Sequence, residues 1–321
     1  MTPRQLLNPW VLFGAAVLLM AGAVHNDYYL TLINFIGIHT LLVVGLNLLM
    51  GYAGQISLGH AAFFGLGAYT SGILTATFGV NPWLALLAGL VVCGLTAILI
   101  GVPALKLRGY YLAMATLGFG IIVYIFLNEA QTWTGGPSGL AGIPALSIFG
   151  FQFDTPKRLY FLIWPVLGGI LALSANLVDS RTGRALRALH EGEVAAESLG
   201  VNTARLKLKI FVWSALYASL AGSLYAHTLN FIAPSSFGFM FSIKLVTMVV
   251  LGGMASIWGS LLGAAVLTVL PEILTMFHDY EVIIFGVILM VVMIFLPRGL
   301  VRGILDLWAF RRYKKEGGII V

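Results

Sequence analysis

Apolar residues fill this chain in long runs, and the polar residues gather in the gaps. Runs at 10–24, 29–50, 84–104, 110–128, 159–178 and 208–228 each approach the ~20 residues that an α-helix needs to cross bilayer hydrocarbon, and shorter runs follow at 242–256, 257–275 and 280–297. A further stretch, NLLMGYAGQISLGHAAFFGLGAYTSGIL at 47–74, is apolar on average. It is interrupted by Gly51, Gly54, Gly59, Gly65 and Gly67 and by Gln55, Ser57 and His60. The pattern predicts an all-α, polytopic helical bundle in one membrane-spanning domain over residues 1–321, with about ten segments, or eight if two of the short runs do not cross.

The largest polar gap is SRTGRALRALHEGEVAAESLGVNTARLKLK, residues 180–209. It holds three of the twelve acidic residues and six of the eighteen Lys and Arg residues. At a few kcal/mol per charge these cannot lie in hydrocarbon, so the stretch is expected in water. Gly192 and Gly200 bracket EVAAESL, in which Ala195, Ala196 and Leu199 share one face of a short helix while Glu193 and Glu197 stand four residues apart. A small-residue face on a short exposed helix suits docking into a groove of a partner. The same spacing also fits a solvated loop with an incidental helical turn.

Composition narrows the class. The chain is 60% hydrophobic and 9% charged, with a mean hydropathy of +0.97, whereas soluble domains carry about 25% charged residues. The net charge of +6 would suggest nucleic acid in a soluble protein. Here the Lys and Arg residues sit at the ends of apolar runs, where orientation in a membrane accounts for them, and no nucleic-acid partner is expected. Cys93, the one cysteine, excludes an internal disulfide and any multi-cysteine metal site. Residues 10–24 form an apolar run after Arg4, and Ala21-Gly-Ala23 within it resembles a signal-peptidase site; an uncleaved first helix is the expectation.

Charge then sets orientation. Arg4, Lys106, Arg108, the six basic residues of 180–209 and the six of the tail 298–321 fall on one side of a layout with both termini inside, leaving Lys157, Arg158 and Lys244. Lys244, at the start of an apolar run, reads either as a cation near the outer mouth of a pathway, meeting a carboxylate or a binding protein, or as a snorkelling interfacial lysine. The loop 129–157, with Trp133, Phe149, Phe151 and Phe153, faces outward in this layout and lacks the lysine and context of a phosphate-binding loop. A weak echo links LMGYAGQISLGHAAF with LGGMASIWGSLLGAA, which contains Gly252, Gly253, Gly259 and Gly263. Paired glycine-broken segments point to a translocation path, with Gln55, Ser57, His60 and Lys244 as candidate lining residues and the glycines as close-packing points.

Several of these stretches carry a resemblance. The pattern E-x-A-A-x-x-x-G-x-N, read as Glu193, Ala195, Ala196, Gly200 and Asn202, is similar to the coupling loop of bacterial ABC importer permeases. With GYAGQISLGHAAF, RGYYLAMATLGF and TGGPSGL, most of the chain resembles the LivM-type permease subunit of branched-chain amino acid importers. The resemblance implies an inner-membrane subunit without its own ATPase, paired with a second, LivH-type permease, two ATPases of the LivG and LivF type that hold ATP and Mg, and a periplasmic binding protein delivering leucine, isoleucine or valine. No cofactor is expected on this chain. On that reading Glu193, Ala195, Ala196, Glu197, Leu199 and Gly200 form the ATPase-coupling element. Urea and short-chain amide importers use similar permeases, so substrate stays open.

Two other classes are weighed against this. An ion-gradient-driven transporter is expected to carry carboxylates or histidines inside its spans, and the acidic residues here fall at run ends or in gaps. An intramembrane enzyme needs a nucleophile and base or metal ligands together at depth, and the six scattered histidines offer no such constellation.

Overall fold

The computed structural model describes residues 9–148 and 150–274 and isolated helical positions at 286, 287, 290 and 294. Apart from those four positions the expected segment 280–297, together with the basic tail 298–321, Arg4 and Phe149, lies outside the described residues. In chain order the helices are α1 (Pro9–Ala23), α2 (Asp27–Asn47, continued by a π-helical turn Leu48–Tyr52), α3 (His60–Ala76), α4 (Pro82–Ala104), α5 (Tyr110–Glu129) and the single turn α6 (Gln131–Thr134). They continue with α7 (Pro156–Asp179), α8 (Arg181–Glu191), α9 (Glu193–Ser198), α10 (Thr203–Leu229), α11 (Phe239–Gly252) and α12 (Ile257–Leu274).

The polar gaps place the helix starts. Asn26, Asn81, Thr155, Ser180 and Asn202 each accept a first-turn backbone N–H on a side-chain oxygen, which satisfies a donor that the helix leaves free. Pro82 and Pro156 occupy first helical positions, where a missing N–H costs nothing. Among the described residues six helices are long and apolar enough to cross a membrane: Asp27–Tyr52, Pro82–Ala104, Tyr110–Glu129, Pro156–Asp179, Thr203–Leu229 and Ile257–Leu274. This is a multi-pass membrane protein.

Burial sorts these helices into a centre and a rim. The apolar window of α2 is 78% buried, against 33% in α4. Leu84, Leu87, Val91, Leu95 and Leu99 instead form an exposed stripe at helical spacing on α4, an apolar face suited to lipid. Helices α2, α3 and α10 pack at the centre with α4, α7, α11 and α12 around them. The α3–α10 crossing is close enough to need glycine. A Cβ on Gly67 would come within 2.5 Å of the Ser219 Cα, and one on Gly222 within 2.8 Å of the Ala68 nitrogen. Helix α10 has 27 residues and is roughly 40 Å long at 1.5 Å per residue, longer than ~30 Å of hydrocarbon.

The loops gather at two ends. At one, β1 (Leu140–Ala141) pairs antiparallel with β4 (Phe231–Ile232), and β2 (Ser147–Ile148) with β3 (Phe151–Gln152). Trp83 Nε1 donates to the Ser147 carbonyl at 2.7 Å, and Tyr28 donates to Glu272. The loop expected at 129–157 is therefore structured, and these two-residue strands are the non-helical part of an otherwise helical bundle. At the other end Arg108, between α4 and α5, reaches Glu193, and Gly54 lies against His190. Residues 253–256 join α11 to α12 beside Asn47.

Candidate functional site

Residues 180–209 build a helical elbow rather than an open loop. Ser180 Oγ accepts from the Thr182 and Gly183 nitrogens at 3.1 and 3.4 Å and starts α8, an amphipathic helix that buries Leu186 and Leu189. Helix α9 ends in a paired closure: the Val201 nitrogen donates to the Ala196 carbonyl at 3.1 Å and the Gly200 nitrogen to the Glu197 carbonyl at 2.9 Å. Gly200 has φ +80°, which glycine adopts without strain. Asn202 then caps α10 through the Arg205 nitrogen at 3.0 Å.

The six residues predicted to couple split into two sets. Ala195 and Leu199 are exposed, Leu199 at 80%, and Val194 beside them at 71%. Ala196 is 1% exposed and faces the protein, which corrects the expectation that it shares the outward face. Successive helical residues are ~100° apart, so Ala195 and Leu199 align while Ala196 turns away. Glu193 is also turned inward, accepting from Lys207 Nζ at 2.5 Å and from Arg108 Nε at 3.1 Å. Glu197 accepts from Thr203 Oγ1 at 2.5 Å. Glu193 roots α9 instead of rimming it, while Glu197, though bonded to Thr203, stays exposed. Lys207 has 3% side-chain exposure because it is buried against Glu193, while Lys209, two residues on, is exposed. Arg108 is 65% exposed; its share of the pairing is worth about 0–1 kcal/mol, whereas the buried Lys207 charge depends on its partner.

The two glycine-broken segments meet at a residue that the glycine pattern did not single out. Asn47, 1% exposed, stands at the end of α2. Its Nδ2 reaches the Ser256 carbonyl and Ser260 Oγ, both at 2.9 Å, and the Gly253 carbonyl at 3.3 Å, while its Oδ1 accepts from the Ala255 nitrogen at 2.9 Å. Ala255 sits at φ +56°, an unfavourable left-handed position for alanine that this clasp helps to hold. Gly51 lies against Asn47 and Ala255, Gly54 against His190, Gly59 against Thr116 and Gly65 against Phe237. Gly252 faces the Gly259 carbonyl and Gly263 the Met248 carbonyl, so α11 and α12 touch backbone to backbone; Gly253 turns the chain between them at φ +112°. The signal available for Asn47 was an amide inside an apolar run.

The four candidate path residues do not converge. Gln55, Ser57 and His60 lie around the break between α2 and α3, near the α9 end. Ser57 and His60 are buried, and His60 Nδ1 sits 3.5 Å from Ser214 Oγ of α10. Lys244 lies on α11 towards the strand-bearing end, in a cleft of ≈ 370 Å³ with His39, Thr268 and Glu272.

Comparison with known proteins agrees in extent with this architecture. A family profile described as "Branched-chain amino acid transport system / permease component" matches residues 28–296. The chain is 38% identical to the "High-affinity branched-chain amino acid transport system permease protein LivM" of Salmonella typhimurium over 287 residues, covering 82% of this chain and 67% of that protein. Identity to the LivM of Escherichia coli is 37% over the same extents. The LivH permease protein of Salmonella typhimurium is 26% identical over 281 residues, covering 82% of this chain and 90% of LivH. No solved structure matches. With both the profile and the LivM proteins covering more than two thirds of its length, the chain belongs to the family of branched-chain amino acid transport system permease components.

Proposed function

We propose that this chain is the LivM-type membrane subunit of an ATP-driven importer that carries leucine, isoleucine or valine across the bacterial inner membrane. It works beside a second, LivH-type permease, two cytoplasmic ATPases that hold ATP and Mg, and a periplasmic binding protein. The observation that carries the reading is the exposed edge Val194, Ala195 and Leu199 on α9, a helix rooted by Glu193 to Lys207 of α10 and to Arg108 between α4 and α5. An apolar edge on such a short helix is a docking feature, and its roots carry movement into the membrane. A shift of α9 moves α10 directly and α8, hence α7, through the Gly192 joint, as a rigid-body change.

The layout has ten crossings and both termini inside. Loops of the described residues alternate between the two ends. Lys106, Arg108 and the basic residues of 180–209 share the α9 end, which is the cytoplasmic one by the positive-inside rule. Helix α11 then runs inward and α12 outward, so a cytoplasmic basic tail needs an odd number of crossings after α12.

Co-purification in mild detergent tests the assembly: two ATPases and a different permease are the expected partners, with ATP hydrolysis stimulated by the leucine-loaded binding protein. Ala195→Arg should abolish ATP-driven leucine uptake while leaving membrane insertion and the thermal midpoint intact. Undiminished uptake in that variant, or recovery of a chain that transports alone under an ion gradient, refutes the reading.

A further inference from the structure

The end that bears α9 holds another cleft, of ≈ 470 Å³, enclosed by the last turn of α4, by α9 and by the first turns of α10. Part of its lining is apolar, with Val102 from α4 and Leu208 from α10. The rest is charged. Glu193 holds Lys207 and Arg108, and Glu197 accepts from Thr203, so both carboxylates of the cleft have partners. Lys106, just after α4, and Arg205 of α10 line it too, and neither has an ion pair among the described residues. Four cations against two carboxylates leave the cleft positive.

Its position shows what these charges face. Helix α4 has 23 residues, roughly 35 Å at 1.5 Å per residue, so its last turn lies where ~30 Å of hydrocarbon gives way to headgroups. Tyr110 and Tyr111, each 71% exposed on the first turn of α5, mark the same level, because amphipathic rings collect at the membrane interface. Val102, itself half exposed, continues the exposed stripe of Leu95 and Leu99. The cleft therefore opens onto the lipid-facing side of α4. A water-soluble anion would use only its charged wall. A ligand that meets both walls is anionic at one end and hydrocarbon at the other.

We propose that this cleft holds the phosphodiester headgroup of an anionic phospholipid between Lys106 and Arg205, with an acyl chain along Val102, Leu99 and Leu95. Orientation by charge accounts for cations spread over one face of a membrane protein. It does not require two unpaired cations from elements distant in sequence to line one cleft with an apolar floor, which is the make-up of a headgroup pocket between spans. The lipid lies beside the contacts of Glu193 with Lys207 and Arg108, and so braces the joint of α4, α9 and α10. The inference goes beyond the importer reading and needs only that the chain sits in a bilayer.

Leu99→Cys, on the stripe but outside the cleft, supplies the reporter, and the natural Cys93 is fully buried. The full chain, labelled there with bimane, is placed in phosphatidylcholine bilayers. Phosphatidylglycerol or phosphatidylcholine carrying a nitroxide high on the acyl chain is then added to quench the dye. Half-maximal quenching should need about fivefold less of the spin-labelled phosphatidylglycerol, roughly the effect of one basic residue near a membrane surface. Lys106→Gln with Arg205→Gln, both at exposed positions, should bring the two lipids level. Arg181→Gln with Arg184→Gln, exposed cations of α8 outside the cleft, should leave the preference intact. Equal quenching by the two lipids before any charge is removed, or quenching by neither, overturns the proposal. A preference that survives loss of Lys106 and Arg205 does the same. So does one that the α8 substitutions lower equally, since the attraction is then diffuse. Loss of the preference in millimolar inorganic phosphate, against sodium chloride of equal ionic strength, makes this a free-phosphate site and overturns the lipid assignment.

Discussion

Glu193 and Lys207 carry the sharpest consequence at the scale of single residues. Their 2.5 Å contact places an ammonium of 3% exposure against a carboxylate of 20% exposure. Removing one member of such a pair strands the other charge, at about 3–5 kcal/mol, while replacing both can be close to neutral. Glu193→Gln should therefore lower thermal stability in detergent strongly, and adding Lys207→Met should recover most of the loss. Additive losses in the double variant would mean that the pair is not coupled. Arg108, mostly exposed, should contribute little by the same measurement. None of this was legible in EVAAESL. The four-residue spacing of Glu193 and Glu197 suggested a polar rim, but which side of a six-residue helix faces inward is decided by α10 and the α4–α5 turn, partners distant in sequence. For the same reason the alanine pair could not be divided into an outward Ala195 and an inward Ala196.

At the scale of elements, the helices were legible because hydrocarbon imposes a length and because capping residues sit where the apolar runs begin. Expected spans at 84–104 and 110–128 differ by at most two residues from α4 and α5. The break after α2 was legible too, since glycines punctuate residues 51–59. What holds the break was not. Asn47 makes four contacts, all with residues 253–260, and a sequence pattern does not say which distant backbone will meet an amide. In a membrane protein such bonds are worth about 0.6–2 kcal/mol each. Asn47→Leu should destabilise the protein and loosen the α11–α12 joint, seen as faster amide exchange at 253–256. Asn34→Leu is the contrast. Asn34 donates to the Pro156 carbonyl at 2.8 Å, and its Oδ1 has no partner among the described residues, so the loss of one bond is partly offset by removal of a buried orphan acceptor. Equal costs for the two substitutions would remove the special role given to Asn47. The strands at 140–152 and 231–232 were equally hidden, because β1 finds β4 about ninety residues away and two-residue strands leave no periodic trace.

For the whole molecule the charges predict which end faces the cytoplasm, and the prediction is a testable asymmetry. The end bearing α8 and α9 carries Lys106, Arg108 and the six cations of 180–209, against three acidic residues in that stretch. The opposite end carries Lys157 and Arg158, with Arg158 paired to Asp154 at 2.6 Å. An excess of cations resists translocation and keeps its loops inside. Because Cys93 is buried, single cysteines read the two ends against a quiet background. Gln152→Cys, exposed on β3, should react with a membrane-impermeant maleimide in intact spheroplasts. Ser198→Cys, exposed at the end of α9, should react only after permeabilisation. The reverse pattern would invert the chain, put α9 on the side without ATP and remove the physical basis for coupling. Labelling of both sites in intact cells would mean that the odd number of crossings between them is wrong. The expected pattern places the docking edge and the Lys244 cleft on opposite sides of the membrane, joined by α10 and by the α11–α12 hairpin that Asn47 clasps. That is the arrangement a subunit needs if work done on one face is to change access on the other.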